Sequence, residues 1–316
     1  VKDWDLPDLM RQSPGGSGIW DGIRFTLEAV EACDVLVMLN NRMPCDVSVR
    51  CPPTNIWSLM QEPYQSGFTD WVIERHDVFA RVFTHTPPSD SEKYVRSHPA
   101  VPWLVDKSYD ELLFWPVPNK TDGISWIVGD AMDLPGHLKR REFYRAIREN
   151  PDLPVSVFGK SIRYIPDKWD GLAPYRYSLA IENSRGPDYW TEKVGDCFLS
   201  WTVPFYDGCT NLEAYFPEDA FVRIDIRDPS RAKARILETV SAEDWESRLP
   251  AIKEARNRLL NRYQFFPHLA SLVRRYAKGA EAPATSVIPR YRRSTRARYN
   301  WLVYKVRKRL GRLGVL

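Results

Sequence analysis

Apolar and polar residues alternate along this chain in blocks rather than singly. CDVLVML (Cys33–Leu39) is a nearly unbroken apolar run, the pattern of a strand buried on both faces of a parallel sheet. NIWSLMQEP (Asn55–Pro63) reads as a second strand entering a polar loop, and WVIERHDVFARVFTH continues the helix–strand alternation. The turn-rich stretch RQSPGGSG (residues 11–18) leads into a short helix predicted over Trp20–Ala32. Further on, ISWIVGD (Ile124–Asp130), LPVSVFGK (Leu153–Lys160), YRYSLAIEN (Tyr175–Asn183), TVPFYDG and AFVRIDI each read as strands. HLKRREFYRAIRE (His137–Glu149) reads as a helix, and TEKVGDCFLSW begins another with Thr191 as its N-cap. SAEDWESRLPAIKEARNRLLNRYQF (Ser241–Phe265) is mainly helical, and KGAEAPATSVIP reads as a low-complexity linker.

Strand–loop–helix units of this kind predict an α/β fold, with ligand loops at the carboxyl ends of parallel strands. The proline- and tryptophan-rich stretch over residues 99–124 reads as the crossover between two halves. The expected division is residues 1–115, 116–275, and a linker and basic amphipathic tail over 276–316. The charged start at Val1 is abrupt, and a first strand is expected to precede it.

Composition narrows the function classes. A chain of 316 residues with 43% apolar content can build two ordinary cores. A net charge of +4 does not mark the whole protein as a nucleic-acid binder. The charge is uneven, however: no acidic residue follows Glu281. In the tail, Trp301, Leu302, Val303, Val306, Leu310 and Leu313 are spaced among Arg and Lys as an apolar stripe with a cationic flank. Such a helix can lie on an anionic membrane surface, or pack on its own protein with the basic residues exposed. The high load of Trp and Tyr suits sugar faces but also ordinary cores. Cys33, Cys45, Cys51, Cys197 and Cys209 are odd in number and loosely spaced; they read as free structural thiols in a reducing compartment, although Cys45 and Cys51 could pair or meet a metal, with no CxxC partner present. No signal peptide opens the sequence, and no apolar run reaches the roughly 18 residues of a membrane span.

The most informative segment is ENSRGPDYWTEK (Glu182–Lys193), which follows the apolar YSLAI. It sets carboxylates, an amide, a tyrosine and a lysine at a strand end and a helix start, where ligands bind. The string resembles the donor-sugar segment of the α1,3/α1,4-fucosyltransferase family, glycosyltransferase family 10, in its bacterial type. Two further blocks, SWIVGDAMDLPGHLKRREFYRAI and NLEAYFPEDAFVRIDI, resemble the family in the same order, so that residues 120–230 carry the likeness and the first 120 carry it faintly.

The resemblance implies a GT-B-like fold, two Rossmann-like domains facing a cleft, with a C-terminal helical and basic extension. It implies an inverting transferase that moves L-fucose from GDP-fucose to a glycan hydroxyl, GlcNAc- or Glc-type and α1,3. It also implies roles. Lys193 and Arg140 meet the donor phosphates, with Arg141 one place away. Glu192 binds donor hydroxyls, Asn183 and Tyr189 line the donor site, and Glu182 holds the loop from behind. Carboxylates suit diols, and cations suit a diphosphate leaving group. The acceptor hydroxyl needs a base, for which Glu62 is the choice, with Glu74, Asp70 and then His76 as alternatives. Each residue also has a plainer reading: Lys193 and Glu192 as a first helical turn, Arg140 as part of a solvated KRR face, Glu62 as a loop glutamate.

No DxD triplet sits in a strand-end loop, DWD at residues 3–5 lying too near the start. The resemblance therefore implies no required metal or cofactor, although a divalent cation could stimulate transfer. The expected partners are the nucleotide-sugar, an oligosaccharide or lipopolysaccharide-type acceptor, and a membrane surface met through the tail; nucleic acid is not expected. The expected location is the cytoplasm, peripheral on the inner face of a bacterial cytoplasmic membrane. Two alternatives stand: the same fold with a different nucleotide-sugar, or an inactive glycan- or nucleotide-binding protein.

Overall fold

The computed structural model describes residues 9–129, 135–148, 153–279 and 282–312. In chain order its strands are β1 (Ile19–Trp20), β2 (Ile23–Arg24), β3 (Leu36–Leu39), β4 (Val47–Cys51), β5 (Ile56–Leu59), β6 (Arg81–Thr84) and β7 (Tyr94–Arg96). They continue as β8 (Thr121–Ile127), β9 (Val155–Phe158), β10 (Tyr175–Gly186), β11 (Val203–Cys209), β12 (Val222–Arg223) and β13 (Ala284–Ile288). The chain divides into two compact units.

The first unit holds residues 27–99 and the chain from Ser271 onward. Its sheet has the order β3-β5-β6-β7, with every pairing parallel. Ile56, Met60, Trp71, Val72, Phe79 and Val82 form its core. The segment read as a linker is a strand instead: β13 pairs antiparallel with β4 over five residue pairs, from Ala284–Cys51 to Ile288–Val47. Its β-branched residues fit a pleated surface, and Ile288 is buried against that core.

The second unit holds residues 9–26 and 100–270. Its five strands are all parallel, in the order β12-β11-β10-β8-β9. The chain enters at β8, steps outward to β9, then returns to β10 on the other side of β8. That reversal between β8 and β10 is the topological switch point, where open α/β sheets bind ligands beyond the strand ends. Trp126 of β8, Tyr177 and Leu179 of β10, and Phe205 of β11 form the core beneath it.

Packing divides the chain differently from the expected 1–115, 116–275 and 276–316. Gln12 Nε2 donates to Trp103 O (2.8 Å), and Gln264 Nε2 donates to Gln12 O (3.1 Å), which ties the first segment into the second unit. After Ser271, β13 and the hydrogen bonds between Asn55 and Lys278 tie the final segment into the first unit. The helix expected over Trp20–Ala32 is a hairpin, β1 with β2. Asp21 and Gly22 both take positive φ, 50° and 79°, the backbone that an Asp-Gly hairpin turn requires. The expected helix at the end of the second unit forms as Trp245–Arg258 with a π-helical continuation, Leu259–Tyr263. A further helix, Pro229–Ser241, precedes it, capped by Asp228 with proline at its start. All five cysteines are free thiols; Cys45 is exposed, and the neighbour of buried Cys51 is Cys33, whose thiol shares a hydrogen bond with it.

Candidate donor site

Three elements of the second unit bring charged groups together at the switch point. The first is β10, whose apolar residues hold it in the middle of the sheet and deliver Glu182 and Asn183 at its far end. The second is the Pro135–Arg148 helix. Phe143 and Ile147 are fully buried on its inner face, and Phe143 meets Trp126 edge-on at 6.0 Å. Arg140 lies one turn earlier on that face and is buried, whereas Arg141 points to solvent. The helix start touches β10: a Cβ on Gly136 would stand 2.0 Å from Asn183 O, so only glycine allows this approach. The third is the Glu192–Leu199 helix, N-capped by Thr191.

The groups interlock. Glu182 accepts from Thr191 N (2.8 Å) and Thr191 Oγ1 (2.7 Å) at the start of that helix. Lys193 Nζ lies 3.2 Å from Glu192 Oε1 and 3.4 Å from Glu182 Oε2. Arg140 Nη1 reaches Ile181 O at 3.5 Å. Burial raises the Glu182 pKa, partly offset by Lys193 and Thr191. Burial also disfavours a charged Glu192, but Lys193 and Lys168 outweigh it and hold this carboxyl down at about 2. Against its own burial, Glu192 and Glu182 raise the Lys193 pKa. Burial lowers that of Arg140, with Glu182, Tyr189 and Glu192 opposing.

Two polar atoms of the cluster are buried without a hydrogen-bond partner: Arg140 Nε and Asn183 Oδ1. Each such atom costs on the order of 1–3 kcal/mol unless something bonds it. They are a donor and an acceptor on adjacent elements, and a polar ligand at the strand ends would satisfy both.

The sequence did not single out several contributors. Gly208 leaves room for Glu182, whose Cγ would stand 2.4 Å from a Cβ there. Asp188, at φ 60°, is fixed by Asn211 and by Tyr215, whose hydroxyl donates to its carboxylate at 2.7 Å. Tyr189 is buried. Lys168, from a stretch with no motif, joins the cluster through Asp196 and Glu192.

Glu62 is carried by the first unit. It is exposed on the loop after β5, where Gln61 N donates to Asn40 Oδ1 (2.8 Å). The alternatives are tied down. Asp70 accepts from Gly67 N and Asn300 Nδ2. Glu74 accepts from Tyr291 and Ser294, and His76 is buried against Trp71 O and Tyr94. Among the described residues no three His, Cys, Asp or Glu groups converge as a metal site would need. The DWD triplet and the Asp130–Leu134 part of the first family-like block lie outside the described residues.

This geometry separates Arg140 from Arg141. Arg140→Ala is expected to weaken binding of a diphosphate-bearing ligand about 10- to 100-fold, the worth of a charge-assisted contact. Arg141→Ala should stay within about twofold, as exposed substitutions do. Fluorescence titration of both variants checks this.

Known proteins resemble the chain over the segment that carries this cluster. Residues 117–247 match the family model described as glycosyltransferase family 10 (fucosyltransferase) C-term. Human 4-galactosyl-N-acetylglucosaminide 3-alpha-L-fucosyltransferase FUT6 is 27% identical over 193 residues, covering 60% of this chain and 50% of the relative. The 3-galactosyl-N-acetylglucosaminide 4-alpha-L-fucosyltransferase FUT3 of Pan troglodytes is 31% identical over 150 residues, covering 46% and 36%. The chain thus spans about half the length, or less, of these curated relatives. A crystal structure of an alpha1,3-fucosyltransferase with GDP superposes with a TM-score of 0.51 at 16% identity, covering 81% of each chain, which establishes a shared fold. Residues 117–247, which carry Arg140, Glu182, Asn183, Tyr189, Glu192 and Lys193, are thus similar to the C-terminal part of glycosyltransferase family 10, the fucosyltransferase family.

Proposed function

We propose that this protein is an inverting fucosyltransferase that transfers L-fucose from GDP-fucose to a glycan hydroxyl. The observation that carries the reading is the cluster of buried Arg140 and Glu182 with partly buried Glu192 and Lys193 at the switch point, inside the segment that matches the family. Lys193 and Arg140 neutralise the diphosphate as it leaves, the step on which electrostatic stabilisation acts most strongly. Glu192 accepts hydrogen bonds from a donor diol, and Asn183 offers its unpaired carbonyl oxygen to the same ligand. Glu62 takes the acceptor proton. The proposed acceptor is a GlcNAc- or Glc-type sugar of an oligosaccharide or lipopolysaccharide, joined α1,3. No metal is required for this chemistry, since side-chain cations serve the leaving group; a divalent cation can add to the diphosphate.

The test is product formation: the protein, GDP-fucose and an N-acetyllactosamine-type acceptor, with GDP release followed and the product's anomeric configuration read by NMR. An α-linked fucoside supports the reading. GDP-fucose left intact across an acceptor panel, with binding retained, would favour the inactive binding protein, and turnover of another nucleotide-sugar would change the donor.

The tail extends the proposal to a membrane surface. The Thr295–Arg312 helix packs Ala297, Asn300 and Tyr304 inward, with Phe68 against Tyr304. Tyr299, Leu302 and Val306 stay exposed on the opposite face, beside Arg298, Lys305 and Arg309. The inward face packs on the protein, and the exposed face is the one proposed to meet a membrane; Leu310 and Leu313 fall outside the described side chains. Among the described residues no helix is long and apolar enough to cross a membrane. The proposed place is the inner face of a bacterial cytoplasmic membrane. Leu302→Glu with Val306→Glu should reduce sedimentation with anionic vesicles at least tenfold, while leaving GDP binding unchanged. Equal sedimentation would end this part of the proposal.

A further inference from the structure

Lys168 stands outside every family-like block, yet it reaches the centre of the charge cluster. The short helix Lys168–Leu172 is capped by Asp167, whose carboxylate accepts from Trp169 N at 2.9 Å. Lys168 is its first residue, and its Nζ lies 3.1 Å from Asp196 Oδ2 and 3.6 Å from Glu192 Oε1. Asp196 is almost wholly buried, and its other oxygen accepts from Leu104 N at 2.9 Å. Asp196 is therefore a fixed anchor for Lys168.

Glu192 Oε1 thus has two ammonium groups near it, Lys193 at 3.2 Å and Lys168 at 3.6 Å. The two lysines also line one cavity of about 30 Å³, room for a single water. Their obligations differ. Lys193 is shared with Glu182 and, under the proposed function, with the donor diphosphate. Lys168 is held to the spot by Asp196. When Lys193 turns toward phosphate, Glu192 would be left buried beside Glu182 with weaker compensation.

We propose that Lys168 is a positioning residue for the donor site: anchored by Asp196, it keeps Glu192 charged and in place as acceptor for the donor diol while Lys193 serves the diphosphate. This rests on the donor-site reading above. The charged groups facing Glu192 are Lys193 and Asp196 from its own helix, Lys168 from the short helix, Glu182 from β10 and Arg140 from the Pro135–Arg148 helix. Of these, only Lys168 is a cation with no assigned contact to the donor.

The sign of the pH effect follows. A carboxylate whose pKa is depressed supports binding above that pKa, and the support is lost as pH falls through it. Removing Lys168 moves that loss to higher pH, because burial then weighs against fewer cations.

The experiment is calorimetric titration of the whole chain with GDP from about pH 8 to about pH 4. It compares the native protein with Lys168→Gln, Lys168→Arg and the double variant Lys168→Gln/Asp196→Asn. Affinity is read as the ratio of variant to native, so that the titration of GDP itself cancels. Lys168→Gln should bind about tenfold more weakly near pH 8, with the deficit growing at least a further threefold or so toward pH 4. Lys168→Arg should recover most of the affinity. The double variant, which leaves no stranded buried aspartate, should keep the pH-dependent deficit. A deficit flat with pH, or full recovery in the double variant, would show that Lys168 only neutralises Asp196 and would overturn the inference. If the native protein binds no GDP, the donor-site reading falls first and this inference with it.

Discussion

Replacing Lys193 by alanine is expected to weaken GDP binding about 100-fold and to lower kcat/KM for transfer about 100- to 1,000-fold, the usual loss when one preorganised charge at a leaving group is removed. The argument begins with Thr191, whose hydroxyl caps the helix and receives Lys193 Nζ at 3.0 Å. That cap fixes Lys193 in the first helical turn, where backbone N–H groups and the helix dipole already favour an anion. Glu182 and Glu192 then keep the ammonium charged in spite of burial. A phosphate arriving there meets a cation that needs no proton and little reorganisation. Lys193→Arg should retain part of the binding through its charge. Calorimetry and steady-state kinetics on both variants check the expectation, and an alanine variant within about threefold of native affinity would remove Lys193 from the donor site.

Glu62→Gln is expected to lower kcat about 100- to 10,000-fold, the range for a lost general base, with GDP affinity unchanged. Proton abstraction needs an accessible carboxylate, and Glu62 is exposed just beyond a parallel strand. Glu74 is engaged with Tyr291 and Ser294, and Asp70 is buried with Gly67 and Asn300 as partners. Those two should act on stability: Glu74→Gln should lower the melting temperature and leave kcat within about threefold. A kcat for Glu62→Gln close to native, with Glu74→Gln or Asp70→Asn inactive yet folded, would transfer the role.

What the sequence could and could not disclose follows from the range of each signal. The run YSLAI could be read as a buried strand because every residue of β10 there is enclosed on both faces. Thr191 could be read as a cap because its helix begins within three residues of it. Arg140 was separable from Arg141 in principle: residues 140, 143 and 147 fall on one helical face, and the last two are Phe and Ile. Gly136 against Asn183 is different, since those residues are 47 positions apart and only the folded sheet shows that a side chain cannot fit. Lys168 carried no local signal either; its meaning comes from Asp196 and Glu192 on another helix. Two elements differ from their expected form, and each carries a local signal of it. Asp21-Gly22 was a hairpin signal inside what looked like a helical run, and the β-branched end of KGAEAPATSVIP outweighed the small residues before it.

The central claim is that the Arg140–Glu182–Glu192–Lys193 cluster holds the guanine-nucleotide end of a sugar donor. Calorimetric titration of the purified chain with GDP-fucose, and in parallel with GDP, GDP-mannose and UDP-glucose, tests it most directly. The account predicts binding of GDP-fucose and GDP, little of UDP-glucose, and loss of the signal in Lys193→Ala. Folded protein that takes up no guanine nucleotide, or that binds it equally well without Lys193, would contradict it.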